Sequence, residues 1–163
     1  LMNQRPIPSA SRPPLSTQPS VVVIGSYRED LSGLLALSAS LTQLGVTVLH
    51  PPAQARAVGE ESGFVHLDCD QSPHPAQIQR HVFSLIDRAD AVILYAPSGR
   101  VGLSAAMEVG YALRAHKRIL STAPPQDLTL RTLIDYRPSA LRRFLKSVTI
   151  TPPATEHERV SIH

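Results

Sequence analysis

Val21–Ser26 reads VVVIGS and Ala91–Ala96 reads AVILYA. Both are short apolar runs rich in β-branched residues, and both close on small or turn-forming residues. A strand with one wet face alternates apolar and polar side chains. Continuous runs of this length instead fit strands buried on both faces, as in a parallel sheet. Between and beyond them the pattern changes to helical spacing. Ser32–Leu44 (SGLLALSASLTQL) reads as a helix stopped by Gly45, and VTVLH (Val46–His50) as a second strand closed by Pro51 and Pro52. A long connection, Ala53 to Pro73, holds GFVHLDCD, readable as a short strand or an ordered loop. Pro75–Arg88 fits a helix with proline in its first turn. After AVILYA a glycine-containing loop, PSGRVG, leads into a helix over Leu103–Ala115. RILST (Arg118–Thr122) is a fourth strand, and Leu141–Lys146 a short final helix. Strand–helix alternation of this kind predicts an α/β domain whose parallel sheet is covered by helices on both faces. Ligands of such sheets bind beyond the carboxyl ends of the strands. That directs attention to Gly25–Arg28, to the stretch after His50 and to Pro97–Glu108.

At 163 residues the chain suits one domain. The expected domain spans 20–150, between a flexible Pro-rich arm over 1–19 and a flexible tail over 151–163. With no Trp and 4% aromatics, the core must be built from Leu, Val, Ile and Ala. A net charge of +3 fits an anionic small molecule. It argues little for nucleic acid, because the arginines are scattered with no aromatic residues between them. The one cysteine, Cys69, excludes an internal disulfide framework and fits a reducing compartment. No apolar run approaches the roughly 20 residues of a membrane span. The first residues lack the apolar stretch of a signal peptide. A cytoplasmic protein that does not enter membranes is expected.

Glu108 is the one acid within VGLSAAMEVGYAL (Val101–Leu113). With Ser104 or Gly102 as N-cap it lies about one turn into its helix, where the macrodipole favours its ionised form. The small residues around it (Gly102, Ser104, Ala105, Ala106, Gly110) leave room for a ligand. An oriented carboxylate there can act as a nucleophile or stabilise a cationic sugar; a surface Glu supporting the helix is the plainer reading. In GSYRED, Gly25 permits a tight turn, and Ser26 with nearby backbone N–H groups can donate to a phosphate. Arg28 can bind that phosphate bidentately. An ordinary strand-to-helix turn with an exposed Arg is the alternative. Neither GxGxxG nor a P-loop is present. HLDCDQSPH gathers His66, Asp68, Cys69, Asp70 and His74, but its spacing matches no structural zinc pattern. It reads as a loop lining a pocket or as a solvated loop. Asp87 and Asp90 read as a solvated helix end and a strand entry.

The stretch ADAVILYAPSGRVGLSAAMEVGYALRAHKRIL resembles the nucleoside 2-deoxyribosyltransferase superfamily, which includes deoxynucleoside 5'-monophosphate N-glycosidases. The residues that carry the resemblance are Asp90, Gly102, Glu108, Val109, Gly110, Ala112 and Lys117. The GSYR turn, Gly25 to Arg28, is similar to the first-strand turn of the monophosphate-hydrolysing branch. The resemblance covers Val21 to Thr122. It implies a flavodoxin-like, Rossmann-like doubly wound sheet in a homodimer or larger assembly. It implies Glu108 as the catalytic nucleophile at the anomeric carbon of a nucleoside or nucleotide, with no metal or organic cofactor. Gly25, Ser26, Tyr27, Arg28, Gly102 and Ser104 would surround the phosphate or sugar. Departures accompany the likeness. The family's first-strand Tyr falls at Val22, with Tyr27 close by. Its Asp before the third strand falls at His81 or Val82. The spacer from Gly102 to Glu108 is longer. Asp68 or Asp70 is the candidate replacement acid. A nucleotide-binding module without turnover is the alternative expectation. A third is an interaction domain using RPIPSASRPP as its contact.

Overall fold

The computed structural model describes residues 18–149. The expected arm over 1–19, except its last two residues, and the expected tail over 151–163 lie outside the described residues. Along the chain the elements are β1 (Ser20–Gly25), α1 (Tyr27–Gln43), β2 (Thr47–His50), β3 (Ala57–Glu61), β4 (Phe64–Leu67), α2 (Pro75–Arg88), β5 (Ala91–Tyr95), α3 (Leu103–Arg114), β6 (Arg118–Ser121), α4 (Leu128–Leu133) and α5 (Pro138–Thr149). Four strands form one parallel sheet in the order β2-β1-β5-β6.

The double burial expected of the apolar runs is borne out residue by residue. On one face Val21 and Val23 of β1 join Ala91 and Ile93 of β5, and meet Leu34 and Leu41 of α1 and Phe144 of α5. On the other, Val22, Ile24, Val92 and Leu94 meet Val82 and Ile86 of α2 and Val109 and Ala112 of α3. Successive side chains on a strand point to opposite faces, so an unbroken apolar run serves both layers. The result is a single-domain α/β fold of the flavodoxin-like, Rossmann-like kind.

From β1 the chain passes to β2 on one side; from β2 it returns across β1 to β5 on the other. The order therefore reverses between β1 and β5, which creates a crevice at their carboxyl ends. These two strands pair in register from Val21 opposite Ala91 to Gly25 opposite Tyr95. Gly25 serves that pairing rather than the tight turn expected of it. A Cβ placed on it would stand 2.5 Å from the Tyr95 carbonyl oxygen and 2.9 Å from Leu34 Cδ1.

The opposite end of the sheet is fastened by polar groups. Asp90 Oδ2 accepts from Ser20 N at 2.7 Å and from Ser20 Oγ at 3.0 Å, tying the starts of β1 and β5. Lys117 Nζ donates to the carbonyls of Asp87 and Ala89 at 2.7 and 2.9 Å, covering the end of α2. Tyr111 Oη donates to Asp87 Oδ2 at 2.7 Å, so that carboxylate is bonded to α3.

Several boundaries differ from expectation. α1 starts at Tyr27, but Asp30 has non-helical angles (φ −157, ψ 73) and divides it. Asp30 Oδ1 accepts from Gly33 N at 2.9 Å and Ser32 Oγ at 3.1 Å, as an N-cap does for the helix that follows. The regular helix therefore begins close to the expected Ser32. GFVHLDCD supplies β4 and then a turn. Its antiparallel partner β3 was not expected, because AVGEE is exposed throughout and carries no apolar alternation. α4 was also unexpected, and α5 extends beyond Leu141–Lys146 on both sides.

Gly25→Ala is expected to cost about 2 kcal/mol, in the range for overpacking a tight contact. The loss should appear as a lower urea midpoint with an unchanged slope. A wild-type midpoint would mean that β1 and β5 can part freely at this point.

Candidate functional site

The crevice between β1 and β5 opens into a cleft of about 880 Å³, within the roughly 300–1,000 Å³ of small-molecule sites. Its walls come from four places: the β1–α1 turn (Gly25 to Glu29), the loop and first turns of α3 (Arg100 to Glu108), α2 (Ile78, Gln79, Val82) and the tip of the β3–β4 hairpin (Ser62 to Val65). His50 and Asp70 complete it.

Two helix N-termini meet here. Ser26 is the N-cap of α1 and its hydroxyl makes no capping hydrogen bond. Gly102, not Ser104, is the N-cap of α3, with extended angles (φ −70, ψ 165). The two caps face each other: a Cβ on Gly102 would lie 3.8 Å from Ser26 Oγ. The first-turn N–H groups of α3 lack helical acceptors and carry partial positive charge, the arrangement that attracts anions; on the α1 side Glu29 N already donates to the Ser26 carbonyl at 3.2 Å, and the break at Asp30 leaves a single turn there. The loop before α3 is held by a second segment. Gln126 N donates to the Gly99 carbonyl at 2.7 Å, and Gln126 Nε2 to the Ser98 carbonyl at 2.9 Å. Gly99 has φ +78 and sits where a Cβ would be 2.7 Å from the Pro124 carbonyl oxygen, so glycine is required there.

Glu108 lies more than a turn into α3, partly buried on the cleft wall. Its Oε1 accepts from Gln79 Nε2 of α2 at 2.9 Å, which fixes the carboxyl group across two packed helices. The ionised state expected from the macrodipole is corrected by burial. Removal from water pushes the Glu108 carboxyl up to about 7, and the Gln79 hydrogen bond only partly opposes this. Near neutrality Glu108 thus stands at its titration midpoint and can hold or release a proton.

Tyr27 fills the base of the cleft. Its hydroxyl pairs with His50 Nε2 at 2.9 Å. Burial, then the nearby charges of Glu108, Cys69 and Asp70, raise the Tyr27 phenol well above its ordinary value, so it stays neutral. Burial and neighbouring His81 lower His50 to about 4, so its ring is uncharged at neutral pH. Asp70 borders the cleft, but its Oδ2 accepts from Leu67 N at 2.8 Å and braces the turn after β4. Asp68 does similar work, accepting from Arg56 N at 2.9 Å. Among the described residues no group of three or more His, Cys, Asp or Glu side chains is placed to hold a metal.

The cleft thus brings together Gly25, Ser26, Tyr27, Arg28, Asp70, Gly102, Ser104 and Glu108. Asp90 and Lys117, which helped carry the family resemblance, lie at the other end of the sheet. Compared with known proteins, the chain matches no family model and no curated protein. Sequence reasoning missed His50, Gln79, Arg100 and the hairpin tip. His50 ends a parallel strand and Arg100 lies in the loop before α3, so position alone could have nominated both. Gln79 carries no such signal, because it differs in no local respect from a solvated helix residue.

The two buried groups set opposing pH dependences. Between about 4.5 and 7 the folded chain keeps the Glu108 proton that the unfolded chain loses, so stability falls as pH rises through that window. Between about 6.5 and 4 the unfolded chain takes up a His50 proton that the folded chain refuses, so stability falls as pH drops. Glu108→Gln removes the first effect. The variant should be more stable than wild type by about 3 kcal/mol at pH near 8 and gain little near pH 4.5. Urea midpoints at both values decide it; an equal gain at both would exclude desolvation of the carboxylate as the cause.

Proposed function

We propose that the protein is an N-glycoside hydrolase or transferase that cleaves the base–sugar bond of a nucleoside or nucleoside 5'-monophosphate, with Glu108 as nucleophile. The observation that carries this reading is the Glu108 carboxyl group, held by Gln79 on the wall of a ligand-sized cleft at the strand-order reversal. Ionised Glu108 attacks the anomeric carbon as the bond to the base breaks. The bonding electrons leave on the base nitrogen, which takes up a proton. Water, or a second base, then displaces the carboxylate from the sugar. Developing positive charge on the sugar favours ionised Glu108 and lowers its proton affinity along the reaction path. Ser26, Ser104 and the two helix N-termini offer donors for a phosphate or sugar hydroxyl. No metal or organic cofactor enters this scheme.

A homodimer or larger assembly belongs to the same proposal. Leu103 is 89% exposed at the cleft rim, and Met107 is 55% exposed one turn later, which suits cover by a second copy. The proposal also sets the protein in the cytoplasm, in keeping with a free Cys69. Among the described residues no helix is long and apolar enough to cross a membrane.

A second reading, a nucleotide-binding module without turnover, is favoured by one observation. A carboxyl group raised to about 7 is protonated in a large share of molecules at neutral pH, which withholds the form a nucleophile needs. Base release from ribo- and deoxyribonucleosides and their 5'-monophosphates separates the two. The enzyme reading expects free base from wild type, a rate that rises with pH through about 7, and loss of at least about a hundredfold in Glu108→Ala. Nucleotide binding with no base released at any pH would favour the module instead.

A further inference from the structure

Two arginines stand at the mouth of the cleft, one from each loop of the strand-order reversal. Arg28 belongs to the first turn of α1, and Arg100 to the loop before α3. Each is engaged by a glutamate. Arg28 Nε lies 3.7 Å from Glu60 Oε1, on strand β3 of the hairpin. Arg100 Nε lies 3.2 Å from Glu29 Oε1, on α1. Both guanidinium groups remain largely exposed, at 70% and 71%. In both pairs the closest approach is at Nε, and the Arg28 pair at 3.7 Å is beyond hydrogen-bond length. Exposed pairs of this kind contribute little to stability, and among the described residues neither glutamate side chain has another hydrogen bond or ion pair.

We propose that Glu29 and Glu60 stand in for the phosphate of a phosphate-ester ligand, and that Arg28 and Arg100 exchange these carboxylates for it when the ligand enters. This inference rests on the cleft being a nucleotide site and deepens that reading: it names a phosphorylated substrate and adds Arg100, Glu29 and Glu60 as the residues that set charge selectivity. The exchange gives up two weak, solvent-screened pairs for charge-assisted bonds to a more highly charged group. Glu60 is half exposed and free to turn away, Glu29 is a third exposed, and the arginines need move only their ends. Breaking the Arg28–Glu60 pair also removes a link between α1 and the hairpin tip, so the hairpin should loosen on phosphate binding.

The consequence has an unusual sign, because removing a charge next to the site should improve binding. Calorimetric titration of full-length protein with nucleoside 5'-monophosphates, the matching nucleosides, ribose 5-phosphate and inorganic phosphate tests it without requiring turnover. Glu29→Gln and Glu60→Gln should each tighten monophosphate and ribose 5-phosphate binding about two- to fivefold, and Arg100→Ala should weaken it about tenfold or more. Nucleoside affinity should stay unchanged in all three. Monophosphate affinity indifferent to Arg100, or weakened by either glutamine, overturns the proposal, as does the absence of binding by any of the four. Inorganic phosphate bound more tightly than ribose 5-phosphate overturns the assignment to an ester. Monophosphate binding with the expected pattern but no base release would sink the glycosidase reading and leave this one standing. Base release with no difference between nucleosides and monophosphates would do the reverse.

Discussion

The close approach of β1 and β5 at their carboxyl ends is the constraint on which the site depends. Gly25 lies so near Tyr95 that no side chain fits between them. Beyond that contact the chain turns into α1 on one side, and into the loop that starts α3 on the other. α1 packs on one face of the sheet and α3 on the opposite face. Two helix N-termini from opposite layers are thereby delivered to one crevice, within reach of each other at Ser26 and Gly102. Tyr95 extends the same junction: its hydroxyl donates to Asp30 Oδ2 at 2.7 Å, so the end of β5 is bonded to the residue that caps the regular part of α1. One strand pair thus sets the position of both walls.

Burial and dipole compete at Glu108, and burial prevails. The macrodipole of α3 acts on a group near its N-terminus by at most about 2 kcal/mol in favourable settings. Its effect fades within the first turn, and Glu108 lies past that point. Removal from water acts on the whole carboxyl group and raises it to about 7. The tyrosine and histidine beneath it follow the same logic. Tyr27 and His50 are each driven toward the neutral form by burial, so their hydrogen bond joins two uncharged rings. The Tyr27–His50 pair is therefore uncharged, whereas the rim carries Arg28, Arg100, Glu29 and Glu60.

How much of this could be read from the sequence depended on whether the determining force was local. β1 and β5 were legible because burial on both faces leaves a continuous apolar run, as at Val21–Ile24 and Ala91–Leu94. α2 was legible to the residue, since Pro75 opens it and its apolar positions repeat at helical spacing. Glu108 was legible as an acid out of place in an apolar helix. The β3–β4 hairpin was not: β3 buries nothing, so AVGEE carries no pattern, and its strand state comes from pairing with β4. Gln79 was hidden for a different reason. Its role exists only because α2 and α3 pack side by side, and no property of PAQIQR reveals which turn will face Glu108. Likewise Asp90 and Lys117 marked the resemblance, yet their bonds fasten the end of the sheet opposite the cleft.

Rigid and adjustable groups are divided along the depth of the cleft. Glu108 and Gln79 stand on helices whose inner faces are locked into the core by Val109, Ala105, Val82 and Ile78. The arginine and glutamate side chains of the rim meet in pairs open to solvent, and the hairpin that carries Glu60 lies outside the main sheet. Such pairs contribute little to stability, so these side chains can turn at low free-energy cost. Side chains are fixed deep in the cleft and adjustable at its rim. Both conditions follow from which side chains the sheet buries and which it leaves to water.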